Sequence, residues 1–455
     1  MKRFASLIVL VLSSAGAAAA VLTISPGEEI QSAVNKAKSG DTIKVMPGLY
    51  KETVYIDKDG IKLSGVIRGD QWPVLDGEDV RHDGILVSGH GVTVEKMHVK
   101  RFRGNGIMLQ GGNNFSILNN WVEGYSFYGI FPQYGKNGLV ANNIISGVAD
   151  AGIYAGMCEN VDIIANETFN DTLGIEVEDS LDMLVEGNYV HHNSIGVIID
   201  LVPGLPVKRA EKTVVRNNFI LDNNAKPNST SPLLSSLHEG VGVLIRAHDH
   251  GSIEGNIIRN NVSAGIVVED LTEGFPDPKA DPFPDNNRIL GNLFFNNGQD
   301  PRTTIKNLLA PLDKKTGPDL LVLGRGKNNC VSDKLSLTAL GADSWNECAA
   351  GATTADVRSV RLATPVESPR YTLEQRGRLT YMAVCSGCHS YSARLVGPPM
   401  VAARARYAGN PKKLAEWIAN PTKRRADYGE MPPQRYLPEE VRVQVASYIL
   451  NELDQ

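Results

Sequence analysis

One run in this chain has residue types and spacing that point directly to chemistry: Cys385, Ser386, Gly387, Cys388 and His389, a Cys-x-x-Cys-His within "MAVCSGCHSYSARLVGPPM". Two thiols at this spacing can capture the vinyl groups of a haem while the adjoining imidazole ligates its iron. A zinc half-site or a redox dithiol would use the same cysteines. No second Cys or His pair follows to complete a zinc set.

A second set of chemical groups becomes visible only through a repeat. The segments "DGILVSG", "NGIMLQG", "YGIFPQY", "AGIYAGM", "LGIEVED", "IGVIIDL", "VGVLIRA" and "AGIVVED" each place alternating apolar residues after a glycine. Those glycines, Gly84, Gly106, Gly129, Gly152, Gly174, Gly196, Gly242 and Gly265, are spaced by 22, 23, 23, 22, 22, 46 and 23 residues. A unit this short cannot bury its own apolar side, whereas stacked units can. Residues one and three after the glycine, such as Ile85 and Val87, Ile107 and Leu109, Ile175 and Val177, Val197 and Ile199, Ile266 and Val268, are aliphatic and should fill the interior. Residues two and four after it face outward. They read Met108, Phe131 and Tyr154, then Gln110 and Gln133, then Glu176, Glu178, Asp200, Arg246 and Glu269. Carboxylates from neighbouring coils would stack at about 4.8 Å, close enough to share a divalent cation or a polar saccharide. Calcium is the first candidate ion, because the donors are all oxygen. The alternative is a solvated outward face that carries polar residues for that reason alone. His191, His192, His238, His248 and His250 read as surface or turn histidines.

A recurrent asparagine, Asn120, Asn143, Asn166, Asn188, Asn218, Asn256, Asn292 and Asn329, fits an internal amide ladder along the stack. The whole pattern resembles the right-handed parallel β-helix of the pectin-lyase-like superfamily, and it covers residues 21–349. Ser25, Pro26 and Glu28 suggest a capped helix start, with Ile30, Ala33, Val34 and Ala37 as the apolar face of a helix closing the open end. Insertions at "LVPGLPVKRAEK", "AKPNSTSPLLSSLHEG", "LTEGFPDPKADPFPD" and "GQDPRTTIKNLLAPLDKKTG" should wall a binding face. In lyases of the superfamily, acids hold calcium against a uronate and a Lys or Arg abstracts the proton. That analogy makes Glu176, Glu178, Asp200 and Arg246 the groove candidates.

Residues 350–370 lose periodicity and read as a linker, and residues 371–455 resemble a small class I c-type cytochrome, an all-α domain. The resemblance implies thioethers at Cys385 and Cys388, proximal His389 oriented by the Pro398 carbonyl, and distal Met431 from "YGEMPPQRYL", with Met400 as the rival. It also implies that Gly377 on the first helix lets Tyr448 of the last pack closely. Thioether opposite imidazole raises the potential and leaves no open site, which suits single-electron transfer.

Residues 1–20 read as a signal peptide: Met1, Lys2 and Arg3 precede an apolar run ending in Ala18–Ala20, with no cysteine after it and no flank of a retained membrane span. Export to the periplasm, or secretion, follows. In that compartment Cys330 and Cys348 should pair, and Cys158 reads as a small buried hydrophobe. The net charge of −5 suggests no nucleic-acid partner. From Tyr371 onward 12 Lys or Arg face 8 Asp or Glu, and Lys412, Lys413, Lys423, Arg424 and Arg425 could steer an acidic redox protein. The reading is a periplasmic c-type cytochrome with one covalent haem, fused to a β-helix that binds a polymer or protein partner. The alternative is a carbohydrate-active β-helix, of lyase, epimerase or hydrolase type, with an attached electron-transfer domain. Whether the β-helix is catalytic stays open, because fold alone does not give activity.

Overall fold

The computed structural model describes residues 19–124, 126–228, 234, 237–271, 277–332, 336–349 and 369–453. Residues 1–18 of the expected leader and 350–368 of the expected linker lie outside the described residues.

Each coil of the repeat runs through three short strands, and each strand pairs in parallel with its counterpart one coil on. The described residues form three parallel sheets of 13, 10 and 11 strands, here the first, second and third sheets in the order the chain visits them. One coil is Ser116–Leu118, Trp121–Glu123 and Tyr128–Gln133. This is the β-helix architecture expected. The aliphatic positions after each glycine, including Ile107, Leu109, Ile175, Val177, Val197 and Ile199, are buried in one continuous core.

From the coil of Thr93–Glu95 and His98–Lys100 onward, the corner between the first and second sheets is two residues; one coil earlier, between Lys62–Gly65 and Pro73–Asp76, it is longer. Its first residue is left-handed (Lys96, Asn119, Asn142, Ala165, Asn217, and the glycines 187, 255 and 291), which is why Asn and Gly recur there. The second is Met97 after Lys96 and the ladder asparagine in the coils that follow. Asn120 Nδ2 donates to Asn143 Oδ1 at 3.0 Å, and the chain of amides continues through Asn166, Asn188, Asn218 and Asn256 to Asn292. Asn329 belongs elsewhere: it accepts from the Asn287 N–H at 2.7 Å, at the corner between the third and first sheets. A second ladder was not anticipated. Asp171, Asn193, Asn223, Asn261 and Asn297 line the corner before the third sheet.

At the N-terminal end a helix, Ile30–Lys36, buries Ile30, Ala33 and Val34. It starts later than the Ser25 signal suggests. Glu28 returns its carboxylate to the Ser25 N–H at 2.7 Å within a separate turn. The helix N-terminus is capped instead by Glu52, which accepts from the N–H groups of Ile30 and Gln31 at 2.8 and 2.9 Å. At the far end Cys330 and Cys348 are bonded, with Cα atoms 4.9 Å apart. Cys158 is a free, buried thiol in the core.

The C-terminal residues fold into helices Leu373–Thr380, Met400–Tyr407, Pro411–Ala419 and Glu439–Asn451, the first continuing as a wider π-helical turn, Tyr381–Cys385. The close approach at Gly377 is to Gln444, 2.4 Å from where a β-carbon would stand. Tyr448 lies one turn further on and packs its ring against Tyr381, centroids 5.3 Å apart. The pairing of Gly377 with Tyr448 is therefore corrected. The helix spacing of four residues moves the ring past the glycine, and Gln444 meets it instead.

Candidate functional site

The register of the third sheet aligns the outward residues in columns. One column runs Gln110, Gln133, Gly156, Glu178, Asp200, Arg246, Glu269, and a neighbouring one pairs Met108 with Phe131 and Tyr154 with Glu176. Ligand oxygens of Glu176, Glu178 and Asp200 all lie within 4.8 Å of one another. The sequence places these groups correctly but not their surroundings. A solvated face is ruled out: Glu176 is 7 % exposed, Glu178 8 % and Asp200 0 %.

Two things remove water from this face. The insertions flank it at both sheet edges, with Val202 and Leu205 packing on Met157, and Leu234 and Leu237 joining the outer apolar cluster. The C-terminal helices then sit over it. Gly387, between the two cysteines of the Cys-x-x-Cys-His run, has Phe131 and Gln133 3.1 and 3.3 Å from its β-carbon position. Ser386 Oγ approaches Met157 Sδ at 3.9 Å, and Gln110 Nε2 donates to the Tyr436 hydroxyl at 2.6 Å. The Tyr436 ring also rests on Tyr55, centroids 4.8 Å apart. No sequence signal marked this contact, since its partners are far apart in the chain, Ser386 and Met157 by 229 residues and Gln110 and Tyr436 by 326.

Within the cluster Tyr154 donates to Glu178, and Arg246 pairs with Asp200. The Tyr154 ring stacks on Tyr128 at 4.7 Å and lies 4.6 Å from Phe131. Burial pushes the Glu178 carboxyl up to about 8, with Asp200 adding repulsion and the Tyr154 hydroxyl opposing it. Burial raises Glu176 well above the carboxylate range, reinforced by Asp150 and Glu178. It raises Asp200 too, against the opposing charge of Arg246. Asp150, buried nearby, is pushed up to about 8 for the same reason, with Asp200 adding to it. The site can thus hold protonated and ionised carboxyls side by side, or exchange the protons for a cation.

The histidines divide. His192 and His250 are exposed and His191 is half-buried, whereas His238 and His248 are buried, against expectation. His238 Nε2 lies 2.6 Å from Glu269 Oε2, brought in by the insertion before Gly240, and His248 Nε2 lies 2.9 Å from Thr213 Oγ1 beneath a corner. In the C-terminal helices His389 Nδ1 lies 2.7 Å from the Pro398 carbonyl oxygen. Cys385 and Cys388 are unbonded, and burial pushes both thiols up to about 12. Met400 is buried, and half-buried Met431 packs against the same cluster, which also contains Cys385. Lys412, Lys413, Lys423, Arg424 and Arg425 are exposed, with Arg425 paired to Asp427.

Residues 34–235, less than half of the chain, match the family described as NosD, periplasmic copper-binding protein. The periplasmic location expected from the leader agrees with that description. No curated protein matches. Among solved structures the chain is similar to DFA-IIIase from Arthrobacter chlorophenolicus A6 in complex with GF2, at 13% identity and TM-score 0.50, over 72% of this chain and 98% of that one. It is also similar to the Azotobacter vinelandii mannuronan C-5 epimerase AlgE4 A-module, at 15% identity and TM-score 0.45, over 72% and 84%. Over the described residues, no helix is long and apolar enough to cross a membrane. The chain is a β-helix similar to the NosD family, with a helical C-terminal segment seated on the third sheet.

Proposed function

We propose that this chain is an exported, saccharide-directed β-helix protein whose C-terminal helices carry a covalent haem c for single-electron transfer. The observation that carries this reading is the seating of the Cys-x-x-Cys-His turn on the acid and aromatic face of the third sheet, through Gly387 on Phe131 and Gln133. Carboxyl groups beside the rings of Tyr128, Phe131 and Tyr154 are the chemistry that recognises sugar hydroxyls and ring faces. Glu178, held up to about 8, would be available as a proton donor, and Asp200 beside Arg246 as the ionised partner. Because the face is covered, a short saccharide or a chain end is the ligand, not the middle of a polymer. The fold likeness to DFA-IIIase and to the mannuronan epimerase is compatible with a saccharide and bears on the fold alone.

The residues fit a haem. The thiols of Cys385 and Cys388 are free of each other, and their upward shift is opposite to that of a reactive dithiol. The Pro398 carbonyl would accept a hydrogen bond from the Nδ1–H of His389, leaving Nε2 as the ligating nitrogen. Gly397 makes room for the ring, since a β-carbon there would meet His389 Cε1 at 2.3 Å. Met431 would be the distal ligand. When bound, the haem would supply reversible one-electron transfer to a redox protein partner.

The test is expression with a c-type maturation system. Expected are one haem per chain that acid acetone does not extract, loss of that haem in Cys388→Ala, and binding of a short acidic or neutral oligosaccharide that Glu178→Gln abolishes. Extractable haem refutes the covalent reading. Absence of binding to any saccharide of a broad panel refutes the saccharide reading.

A further inference from the structure

The outward side of the second sheet carries two columns of side chains that neither the haem nor the saccharide reading uses. In register, one column runs from His98 to Leu293 and the other from Lys100 to Phe295, with one residue of each per coil. Ile144, Tyr189, Phe219, Leu293 and Phe295 on these columns are between 41 and 54 % exposed. A single exposed apolar side chain is ordinary, but five on one flat face mark a surface that meets a partner. The rings argue against a sugar as that partner. His98 lies on Trp121 with centroids 4.0 Å and planes 2° apart, and Phe169 on His191 at 5.2 Å and 3°. Their faces are turned toward one another along the column, so their edges point outward, whereas a saccharide stacks on ring faces. A lipid surface is not favoured either, because Lys100 and Arg259 are balanced by Glu123 and Glu167. A flat protein face fits, and the columns are complementary to themselves.

We propose that two copies of this chain pair through their second sheets, about a two-fold axis that lies along the strands, midway between Glu167–Phe169 and Tyr189–His191. Such an axis keeps the strand direction and reverses the order of the coils, so each column meets itself from the other end. Glu123 then faces Arg259 of the second copy, Trp121 faces Ile257, Ile144 faces Phe219, and the Glu167 carboxylate faces the Tyr189 hydroxyl, each contact made twice. Neighbouring registers are worse. Moving the axis half a coil toward the N-terminus sets Glu167 against itself and Lys100 against Arg259. Moving it half a coil the other way sets Glu123 against Phe295 and Arg259 against Ser146. Only the middle register answers both carboxylates. Sheets packed face to face stand about 10 Å apart, a gap that outward side chains of this size fill. Two outward residues from each of the matched coils, about 16 a side before corner residues are added, approach the roughly 20–30 a side of a standard interface. The third sheet and the helices on it lie on another side of the coil, so the pairing leaves the proposed haem and saccharide sites free and rests on neither.

The test is sedimentation equilibrium of the full-length chain, with and without haem. Expected is a monomer–dimer equilibrium whose dissociation constant rises at least tenfold in Phe219→Asp and in Arg259→Glu. Ile144→Asp, on the facing coil, reads the same apolar contact if Phe219→Asp does not fold. Combining Glu123→Arg with Arg259→Glu should give tighter pairing than either change alone, because the two charges are exchanged across the axis. The proposal is overturned if the chain stays monomeric at every concentration, which would leave the face to a different protein. It is equally overturned if a dimer forms that the Phe219 and Ile144 variants leave unchanged, or if the double exchange is no tighter than the single ones. None of these results alters the haem stain or the saccharide panel, so the two readings fail separately.

Discussion

Replacing Asn166 by alanine should destabilise the β-helix far more than its small size suggests. Asn166 Oδ1 accepts from the Asn143 N–H and Nδ2 at 3.0 and 2.9 Å, and its Nδ2 donates to Val140 O at 2.9 Å and Asn188 Oδ1 at 3.0 Å. Alanine removes all four bonds. Asn143 Nδ2 keeps Ile117 O and Asn188 Oδ1 keeps the Asn166 N–H, so the Asn143 backbone N–H is the donor left orphaned in a dry corner. One orphaned buried donor costs about 1–3 kcal/mol, and each of the other three bonds contributes about 1 kcal/mol net, for a loss of roughly 4–6 kcal/mol. The end rung is the control. Asn292 makes the same kinds of bond to Asn256 and Ile253 but is half-buried, so water replaces much of what is lost and Asn292→Ala should cost about 1–2 kcal/mol. Urea unfolding followed by circular dichroism compares the midpoints. An Asn166→Ala loss within ~1 kcal/mol of the parent, or equal losses at both rungs, would refute the ladder argument.

Three further outcomes are expected. Burial pushes His248 down to about 3, while in the unfolded chain it titrates near its ordinary value; stability is therefore full above about pH 6.5 and falls as pH drops toward 3, by ~2 kcal/mol at pH 5. His248→Gln should flatten that part of the pH–stability curve, and an unchanged slope would show that other groups cause it. Gly387→Leu places a side chain where Phe131 is already 3.1 Å away, overpacking the contact by about 1–3 kcal/mol; small-angle scattering should show a more extended molecule, and an unchanged envelope would mean the turn does not need glycine. Cys348→Ser opens the loop closed by Cys330 and should lower stability by about 3 kcal/mol, read as a shift in urea midpoint that reductant reproduces in the parent.

The coils were legible because each one repeats its own logic: a glycine, then alternating residues whose inward members are aliphatic. The outward acids could be named for the same reason, since alternation assigns a face without reference to any partner. The second ladder was within reach, because Asn193, Asn223, Asn261 and Asn297 each follow a rung of the first by five residues. The expectation of one asparagine per coil left it out, although these coils carry two. What was not legible depends on contacts distant in sequence. Glu52 caps a helix some twenty residues earlier, and Tyr436 meets Gln110 across most of the chain. Neither leaves a local pattern. The burial of Glu176 and Glu178 is of that kind, since their own strands present them outward and only the insertions and the C-terminal helices enclose them.

The two-residue corner with its asparagine ladder also decides where this molecule can change. A rung spans from one coil to the next only if both corners have the same length, so an added residue there would break the amide chain on either side. The other corners carry no such constraint in their outer parts, and every long insertion lies there: after Asp200 and Glu269 as the chain leaves the third sheet, and after Asn223 and Asn297 as it enters it. Among the coils that carry the ladder, length variation is thereby confined to the two margins of a single face. The scaffold is rigid along one edge and free to be redrawn along the other two. New loops, and with them new ligands, can be added around the acid column while the spine holds its spacing.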